Sequence, residues 1–352
     1  MKRWINILVG LLVLQVAIFA LLSYQDYSGL DTNKKAEPLL SVAYDKLDKV
    51  TIEGFDKKMV TLEKKNGKWL IPALFDFPVS EERLTGVVKR LVESQRSWPL
   101  GNTEAAAKQF EVTDEKFERK MTFYVAGKAE ATLYLGNSPS FRKVYARVGK
   151  EDKSYSVEFS AFDAPVENKE WAEHHIYKLD RAKVAEFKGT DYVLIRQGAS
   201  FMLNGLKPDE STNATEVDAF LTKVQNPLFE DVLASGTYET GKPLLEYAAV
   251  FEDKSERKFH YYEFKDTPKA ITTAKKGEKK DDKTAKTPED PFVVLKVSDI
   301  PYYFKVHKMN VDELAKFTHS TFVKKKDAEG TKPPTGLDKE AGQLKTPARG
   351  PG

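Results

Sequence analysis

Residues 50–71, VTIEGFDKKMVTLEKKNGKWLI, decide the fold of the first half of the chain. Apolar and polar residues alternate over 50–53 and again over 60–63, which is the period of a strand with one buried face. Asn66-Gly67 stands between alternating segments, and this dipeptide is the strongest short-range signal for a hairpin. The stretch therefore predicts a small antiparallel meander.

A helix is predicted directly after the meander. Ser80, followed by Glu81 and Glu82, is typical of a helix N-terminus because its hydroxyl can accept a hydrogen bond from a free backbone N–H. The apolar residues that follow lie at i, i+3, i+4 and i+7 and are Leu84, Val87, Val88 and Leu91. This spacing places them on one helix face, and we expect that face to pack on the meander.

Beyond Gly101 the hydrophobic period returns to two, which indicates strands. The alternating segments are 121–125, 131–135, 144–148 and 155–159. Turn-forming residues separate them, among them Gly127, Gly149 and the stretch 136–139. These segments predict a second sheet of four short strands.

The same order of elements recurs in the second half, and an internal repeat is a strong clue to architecture. Segment 183–187 is similar to 49–53, a hairpin-like segment follows, and Thr215 opens a helix with the same apolar spacing. The fold class is therefore predicted as α+β, with two tandem copies of an antiparallel β-meander, helix and β-sheet unit at 46–170 and 171–322.

The N-terminus predicts a membrane anchor. Lys2 and Arg3 precede the uncharged stretch 4–23, and about 20 apolar residues span a bilayer core. We expect a transmembrane helix within 1–24 and a spacer over 25–45. By the positive-inside rule the N-terminus would be cytoplasmic and the bulk of the chain periplasmic, in a single-pass protein of the bacterial inner membrane. A cleaved signal peptide is the less favoured alternative.

Two lysine-rich stretches lie outside the repeat. Residues 265–290 hold eight lysines against six acids, and 323–352 hold seven basic residues against four acids. Both have too few apolar residues to form a core, so an insertion and a tail are predicted to be disordered. With the two N-terminal cations, these stretches exceed the net charge of +3 of the whole chain. The remaining body is therefore acidic, and no nucleic-acid partner is expected.

Composition and motifs argue against an enzyme. The chain has no cysteine, which excludes disulfides, zinc–thiolate sites and thiol nucleophiles. The glycine patterns of phosphate-binding loops and the G-x-S-x-G pattern do not occur. His174 and His175 lack a chelating spacing, and Ser138 is interpreted as part of a turn. We expect no catalytic residue, no metal and no cofactor, and a hydrolase built on a carboxylate pair stays open as a third possibility.

One group of residues is a candidate for partner or ligand contact. It combines basic and aromatic side chains shortly after a turn and consists of Phe141, Arg142, Lys143, Tyr145 and Arg147. Such a group could contact an anionic partner or lipid head groups. The alternative interpretation is a solvated strand edge, since alternate strand positions point to opposite faces.

Several segments carry a family resemblance, namely 60–69, 76–78, 133–136, 144–147 and 155–157. They resemble the bacterial family called domain of unknown function 4340, and the resemblance covers most of 46–320. It implies one N-terminal anchor, a repeated extracytoplasmic β-rich unit and an accessory role beside ABC transporters of the gliding-motility (Gld) type. It implies no catalytic residue.

The function expected from these features is that of a non-enzymatic, membrane-anchored periplasmic accessory or scaffold subunit of an ABC-type, gliding-motility-like transport complex. Its expected partners are ABC transporter membrane subunits and a Gld-like extracytoplasmic protein. The alternative is an envelope polysaccharide- or lipid-binding module. In that case aromatic residues such as Trp98, Tyr145 or Tyr261 would stack on the ligand.

Overall fold

The structure, a computed structural model, describes residues 10, 12–18, 37–96, 98–234, 238, 241–264 and 291–326. This part of the chain is mostly antiparallel β-sheet with few helices. Its strands form two eight-stranded sheets and one two-stranded sheet.

The first sheet is built from the N-terminal half. Its strands are β1 (Leu47–Gly54), β2 (Met59–Lys65), β3 (Lys68–Ile71), β4 (Phe77–Pro78), β5 (Arg119–Val125), β6 (Lys128–Leu135), β7 (Val144–Val148) and β8 (Ser154–Val157). The strand order is β4-β3-β2-β1-β5-β6-β7-β8. Helices α1 (Glu81–Glu93) and α2 (Glu104–Gln109) lie between β4 and β5 in the chain.

The second sheet has the order β11-β10-β9-β14-β15-β16-β17-β13. Its strands are β9 (Val184–Lys188), β10 (Val193–Gln197), β11 (Ser200–Leu203), β13 (Asp231–Leu233), β14 (Leu245–Phe251), β15 (Glu256–Glu263), β16 (Phe292–Val297) and β17 (Tyr303–His307). Helices α3 (Ala214–Gln225) and α4 (Lys308–Leu314) cover its inner face. The two-stranded sheet pairs β12 (Glu210–Thr212) with β18 (Val323–Lys325).

The apolar faces predicted for the two long helices are confirmed. The buried residues are Leu84, Val87, Val88 and Leu91 in α1, and Val217, Phe220, Leu221 and Val224 in α3. Helix α1 begins after Ser80 as expected, whereas α3 begins after Asn213, two residues before the predicted Thr215. Each helix buries its face against the sheet of its own half.

One hydrophobic core contains residues of both sheets. Phe77 of β4 lies 4.8 Å from the ring of Tyr302 and 6.0 Å from that of Phe304. The Tyr302 hydroxyl donates a 2.9 Å hydrogen bond to the carbonyl of Asp76. Edge-to-face aromatic contacts of this kind add to simple area burial, so the two sheets are joined firmly at this edge.

The predicted α+β fold class is wrong, because the described chain is mostly antiparallel sheet. The error has a structural cause. Strand β1 pairs with β2 on one side and with β5 on the other, so the predicted meander and the predicted second sheet are one sheet. Strand β9 joins β10 and β14 in the same way.

The predicted transmembrane helix and the single-pass inner-membrane localisation are also corrected. Among the described residues no helix is long and apolar enough to cross a membrane. Within the predicted anchor, 1–24, the structure describes only residues 10 and 12–18. The rest of that segment and 25–36 of the predicted spacer lie outside the described residues.

The predicted tail, 323–352, needs a partial correction. Its first residues form β18, whose pairing with β12 leaves them ordered. The remainder of the tail and the predicted insertion 265–290 lie outside the described residues.

Candidate functional site

The first three candidate residues lie on a tight turn between β6 and β7. The Lys143 N–H donates to the Ser140 carbonyl at 3.1 Å, which places Phe141 and Arg142 at the tip, and Arg142 has a positive φ of 56°. The Ser138 hydroxyl lies 3.0 Å from the Ser140 carbonyl oxygen and also contacts that of Lys143. The Ser138 hydroxyl thus braces the turn, as the turn interpretation expects.

Gly136 is required at the base of this turn because of a close approach. A Cβ at this position would lie 1.9 Å from the carbonyl oxygen of Phe110 and 2.8 Å from that of Glu111. Two backbone hydrogen bonds also form here. The Gly136 N–H donates to the Tyr145 carbonyl at 2.8 Å, and the Asn137 N–H donates to the Phe110 carbonyl at 3.2 Å. The base of the turn is therefore fixed to the segment that follows α2.

The turn presents an unusual surface. The side chain of Phe141 is 90% exposed, and those of Arg142 and Lys143 are exposed as well. Within the described residues neither cation forms an ion pair with a carboxylate. An apolar ring and two unpaired cations are thus held together toward solvent by a braced backbone.

This turn forms one wall of an open cleft of about 880 Å³. The opposite wall is the end of α1, where Arg90 donates to the Asp163 carboxylate at 3.0 Å and lies 5.5 Å from the ring centroid of Phe159. The exposed carboxylate of Glu158, just after β8, also lines the cleft. Because the cleft is wide and open, its shape suits a chain segment of another protein better than an enclosed small molecule.

Tyr145 and Arg147 do not join this surface. Arg147 is buried; its Nε donates to the Val112 carbonyl at 2.5 Å, and its guanidinium lies 4.4 Å from the ring centroid of Tyr134. Tyr145 is half-buried and stacks on Phe110, with ring centroids 4.2 Å apart. Both side chains fasten the segment after α2 to the sheet, so their position favours a structural role.

The charges around Arg147 stabilise one another. Its Nη2 donates to the Asp114 carboxylate at 3.3 Å. The pKa of Asp114 is lowered mainly by a hydrogen bond from the Tyr134 hydroxyl, and the charge of Arg147 adds to the effect. Burial, with the Asp114 carboxylate beside it, raises the pKa of Tyr134 to about 12. Arg147, Asp114 and Tyr134 therefore interact with one another.

The histidines of the junction have structural neighbours. His174 stacks on Phe229 with centroids 4.7 Å apart, and its Nε2 lies 3.1 Å from the Lys169 carbonyl. The Glu170 carboxylate is 3.7 Å from Arg83 instead. In the part of the chain that the structure describes, no group of three or more His, Cys, Asp or Glu residues could hold a metal ion.

The aromatic residues named for ligand stacking differ in exposure. Trp98 is 69% exposed, whereas Tyr261 is fully buried and cannot stack on a surface glycan. Sequence reasoning did not find a pocket at the end of the Tyr261 side chain. The available signal was tyrosine at the inward positions of β14 and β15, where leucine or phenylalanine would be expected in a dry core.

Comparison with known proteins identifies the family of the chain. A model of the family described as Domain of unknown function (DUF4340) matches residues 69–247, just over half of the chain, from β3 to β14. Neither the comparison with curated proteins nor that with solved structures found a match. The expected family is thus confirmed: the chain belongs to the family of the domain of unknown function 4340.

Proposed function

We propose that this protein is a non-enzymatic accessory or scaffold subunit of an ABC-type, gliding-motility-like transport complex. It docks onto a transporter subunit or a Gld-like partner through the turn 140–143 and the cleft beside it. The exposure of Phe141 on a braced turn is the observation that carries the proposal.

The exposed ring of Phe141 favours a protein partner at this turn. Aromatic and arginine side chains dominate the binding energy of protein interfaces. A Phe141 ring left in water has apolar surface to bury, at roughly 25 cal/mol for each Å² removed from solvent. Because the turn is already fixed by the Ser138 and Lys143 hydrogen bonds, little conformational entropy is lost when a partner covers it.

The charge of the turn indicates the chemistry of the partner. Arg142 and Lys143 are cations without a carboxylate partner in the described chain, beside a cleft whose Arg90 is already paired with Asp163. An acidic segment with an apolar residue would place its carboxylates on the two cations and its apolar side chain on Phe141. Such complementarity increases the association rate and selects the partner.

Family membership also supports an accessory role. The domain of unknown function 4340 family matches across both sheets. The resemblance in the sequence implies an accessory role beside an ABC transporter. A binding surface without a constellation of catalytic groups fits a subunit that organises other proteins.

Co-purification tests this function. The full-length tagged chain, expressed in its native host and purified in mild detergent, should recover ABC transporter subunits that are identified by mass spectrometry. The double variant Phe141→Ala/Arg142→Glu should lower that recovery at least about tenfold, because it removes the apolar anchor and reverses one charge.

A matched control comes from the turn between β1 and β2. It carries Phe55, 71% exposed, and Lys57 with a positive φ of 61°. The variant Phe55→Ala/Lys57→Glu should leave the recovery unchanged. Purification of the wild-type chain without any transporter subunit would contradict the proposal, and saturable binding of envelope polysaccharide or lipid at the same turn would favour the alternative module.

A further inference from the structure

A second pocket lies in the other half of the molecule, between α3, α4 and the inner face of the second sheet. Its volume is about 190 Å³, enough for a small molecule. Its apolar walls are Pro227, Leu228, Val306 and Leu314. It is separate from the turn 140–143 and does not depend on the proposed docking function.

The inner end of this pocket is polar. Tyr261 and Asn226 line it, and Tyr261 is fully buried. Oδ1 of Asn226 is buried and has no hydrogen-bond partner among the described residues, and the Tyr261 hydroxyl, also buried, has none there other than the neighbouring Tyr247 hydroxyl. Native proteins rarely leave such groups unpaired, because a buried polar atom without a partner is destabilising.

Two further tyrosine hydroxyls lie close to Tyr261. Those of Tyr177 and Tyr247 are also buried, and among the described residues neither has a hydrogen-bond partner outside this group of tyrosines. They are near enough that each interacts electrostatically with Tyr261. Tyr261, which lines the pocket, therefore belongs to a buried group of three tyrosines, and the Tyr247 and Tyr261 hydroxyls are near enough to hydrogen-bond to each other.

The groups at this pocket favour a neutral ligand. At the rim, the Lys223 ammonium and the Glu313 carboxylate form an ion pair with each other, so neither charge is left for a ligand. Burial raises the pKa of Tyr261, which keeps its hydroxyl protonated and able to donate at neutral pH. Asn226 Oδ1 can only accept. A single ligand hydroxyl, which both accepts and donates, satisfies these two atoms.

We propose that this pocket binds a small neutral molecule with hydroxyl groups, of the polyol or sugar class. One ligand hydroxyl accepts a hydrogen bond from Tyr261 and donates one to Asn226. The carbon skeleton packs against Leu228 and Val306, and Thr222 and Asn310 at the rim contact further hydroxyls. Polar groups at the inner end of an apolar pocket are the usual arrangement of a small-molecule site.

The inner face of the first sheet is consistent with a specific role for these tyrosines. Strands β5 and β6 carry Met121, Phe123, Leu133 and Leu135 at their buried inward positions, without any hydroxyl. The corresponding strands β14 and β15 carry Tyr247, Ala249, Phe259 and Tyr261. These inward positions of β5 and β6 are therefore packed without hydroxyls, so packing alone does not demand tyrosines at the corresponding positions of β14 and β15.

The test is an NMR titration of the full-length chain labelled with ¹³C in its tyrosine rings. Glycerol and D-glucose are the neutral probes, and acetate is the charged control. We expect saturable shifts of the Tyr261 ring signals with at least one neutral probe and none with acetate. The variant Leu228→Trp should abolish these shifts by filling the pocket, whereas Leu244→Trp, also at an exposed leucine, should retain them.

The variant Tyr261→Phe separates ligand binding from a structural role. It should weaken probe binding about tenfold and leave the melting temperature nearly unchanged, because the only internal partner of this hydroxyl is the neighbouring Tyr247 hydroxyl. The proposal is overturned if neither polyol gives saturable shifts, if the shifts persist in Leu228→Trp, or if Tyr261→Phe lowers the melting temperature. Shifts with acetate equal to those with the polyols would likewise overturn it.

Discussion

The two eight-stranded sheets match in the order of seven strands but have different cores; the eighth strand is β4, beside β3, in the first sheet and β13, beside β17, in the second. In each, a three-stranded meander is continued through its first strand into four further strands, and one long helix covers the inner face. Helix α1 buries only aliphatic residues, whereas α3 buries Phe220, which contacts the aromatic rings of Phe187, Tyr192 and Phe322. The core beneath α1 is therefore lined by aliphatic side chains of that helix, whereas the core beneath α3 contains a cluster of aromatic rings.

This difference separates the two surfaces for which we propose functions. The inward positions of β5 and β6 in the first half, Met121, Phe123, Leu133 and Leu135, carry no hydroxyl, and the exposed feature of this half is the turn that carries Phe141. The aromatic second half places tyrosine hydroxyls inside, and a pocket reaches one of them at Tyr261. The two sheets have a similar topology, and the residues of each core determine where polar groups lie inside the protein.

The largest expected effect is a difference in stability between a variant in α1 and a variant in α3. Val87 and Phe220 occupy the same place in the apolar spacing of α1 and α3, and both are buried. Phe220→Ala should lower the free energy of unfolding by about 3–5 kcal/mol, since it leaves a large cavity among aromatic rings. Val87→Ala should cost about 2 kcal/mol. Urea unfolding followed by circular dichroism measures both, and equal costs would contradict the contrast between the cores.

A second pair of variants distinguishes structural from contact arginines in the first half. Arg147→Ala should cost about 2–4 kcal/mol, because it leaves the buried Val112 carbonyl unpaired and uncovers Tyr134. Arg142→Ala, at the tip of the exposed turn, should change stability by less than about 0.5 kcal/mol. Thermal unfolding of both variants checks this, and a stable Arg147→Ala protein would return Arg147 to the candidate contact residues.

A stabilising change should make the first helix more like the second. Gly86 lies inside α1, and a Cβ added there would meet no atom within 4 Å; α3 has Ala219 at the corresponding place. Gly86→Ala should therefore raise stability by about 1 kcal/mol, through higher helix propensity. Chemical denaturation provides the measurement. A loss of stability would mean that this surface of α1 needs the space.

The smallest effect concerns alkaline pH. Burial raises the pKa values of Tyr177, Tyr247 and Tyr261 above 10 in the folded state, so the unfolded chain loses these protons first. The contribution of these protonated, buried tyrosines to the free energy of unfolding is fully present below pH 10 and is lost as the pH rises beyond it. The melting temperature should fall from about pH 9 to about pH 11, and Tyr247→Phe/Tyr261→Phe should reduce that fall more than Tyr134→Phe does. An equal fall in melting temperature for both variants would contradict the expected difference between the two halves.

Local sequence patterns predicted individual strands and helices, but they did not predict the pairing of strands that lie far apart in the chain. The alternation around Val60 and the spacing from Leu84 to Leu91 report which faces are buried, so β2 and α1 could be predicted. The pairing of β1 with β5 joins segments about 70 residues apart, and no local signal specifies it. The fold class is therefore wrong although both long helices and most of the long strands were predicted.

The candidate site was predicted only in part for the same reason. Phe141, Arg142 and Lys143 follow turn residues, so the sequence predicted a cluster after a turn, whereas the structure places the three residues on the turn 140–143 itself. The burial of Arg147 depends on the segment after α2, which covers it from 35 positions away in the chain. The pocket at Tyr261 depends on how α3 and α4 approach the sheet, which the sequence does not specify.

Site-specific photo-crosslinking tests the docking function most directly. A photoreactive phenylalanine analogue would replace Phe141 in one full-length protein and Phe55 in another, with irradiation in living native cells. The account predicts a covalent adduct between position 141 and an ABC transporter subunit or Gld-like partner, identified by mass spectrometry, and none from position 55. Equal adducts from both positions, or no adduct with such a protein from position 141, would contradict it.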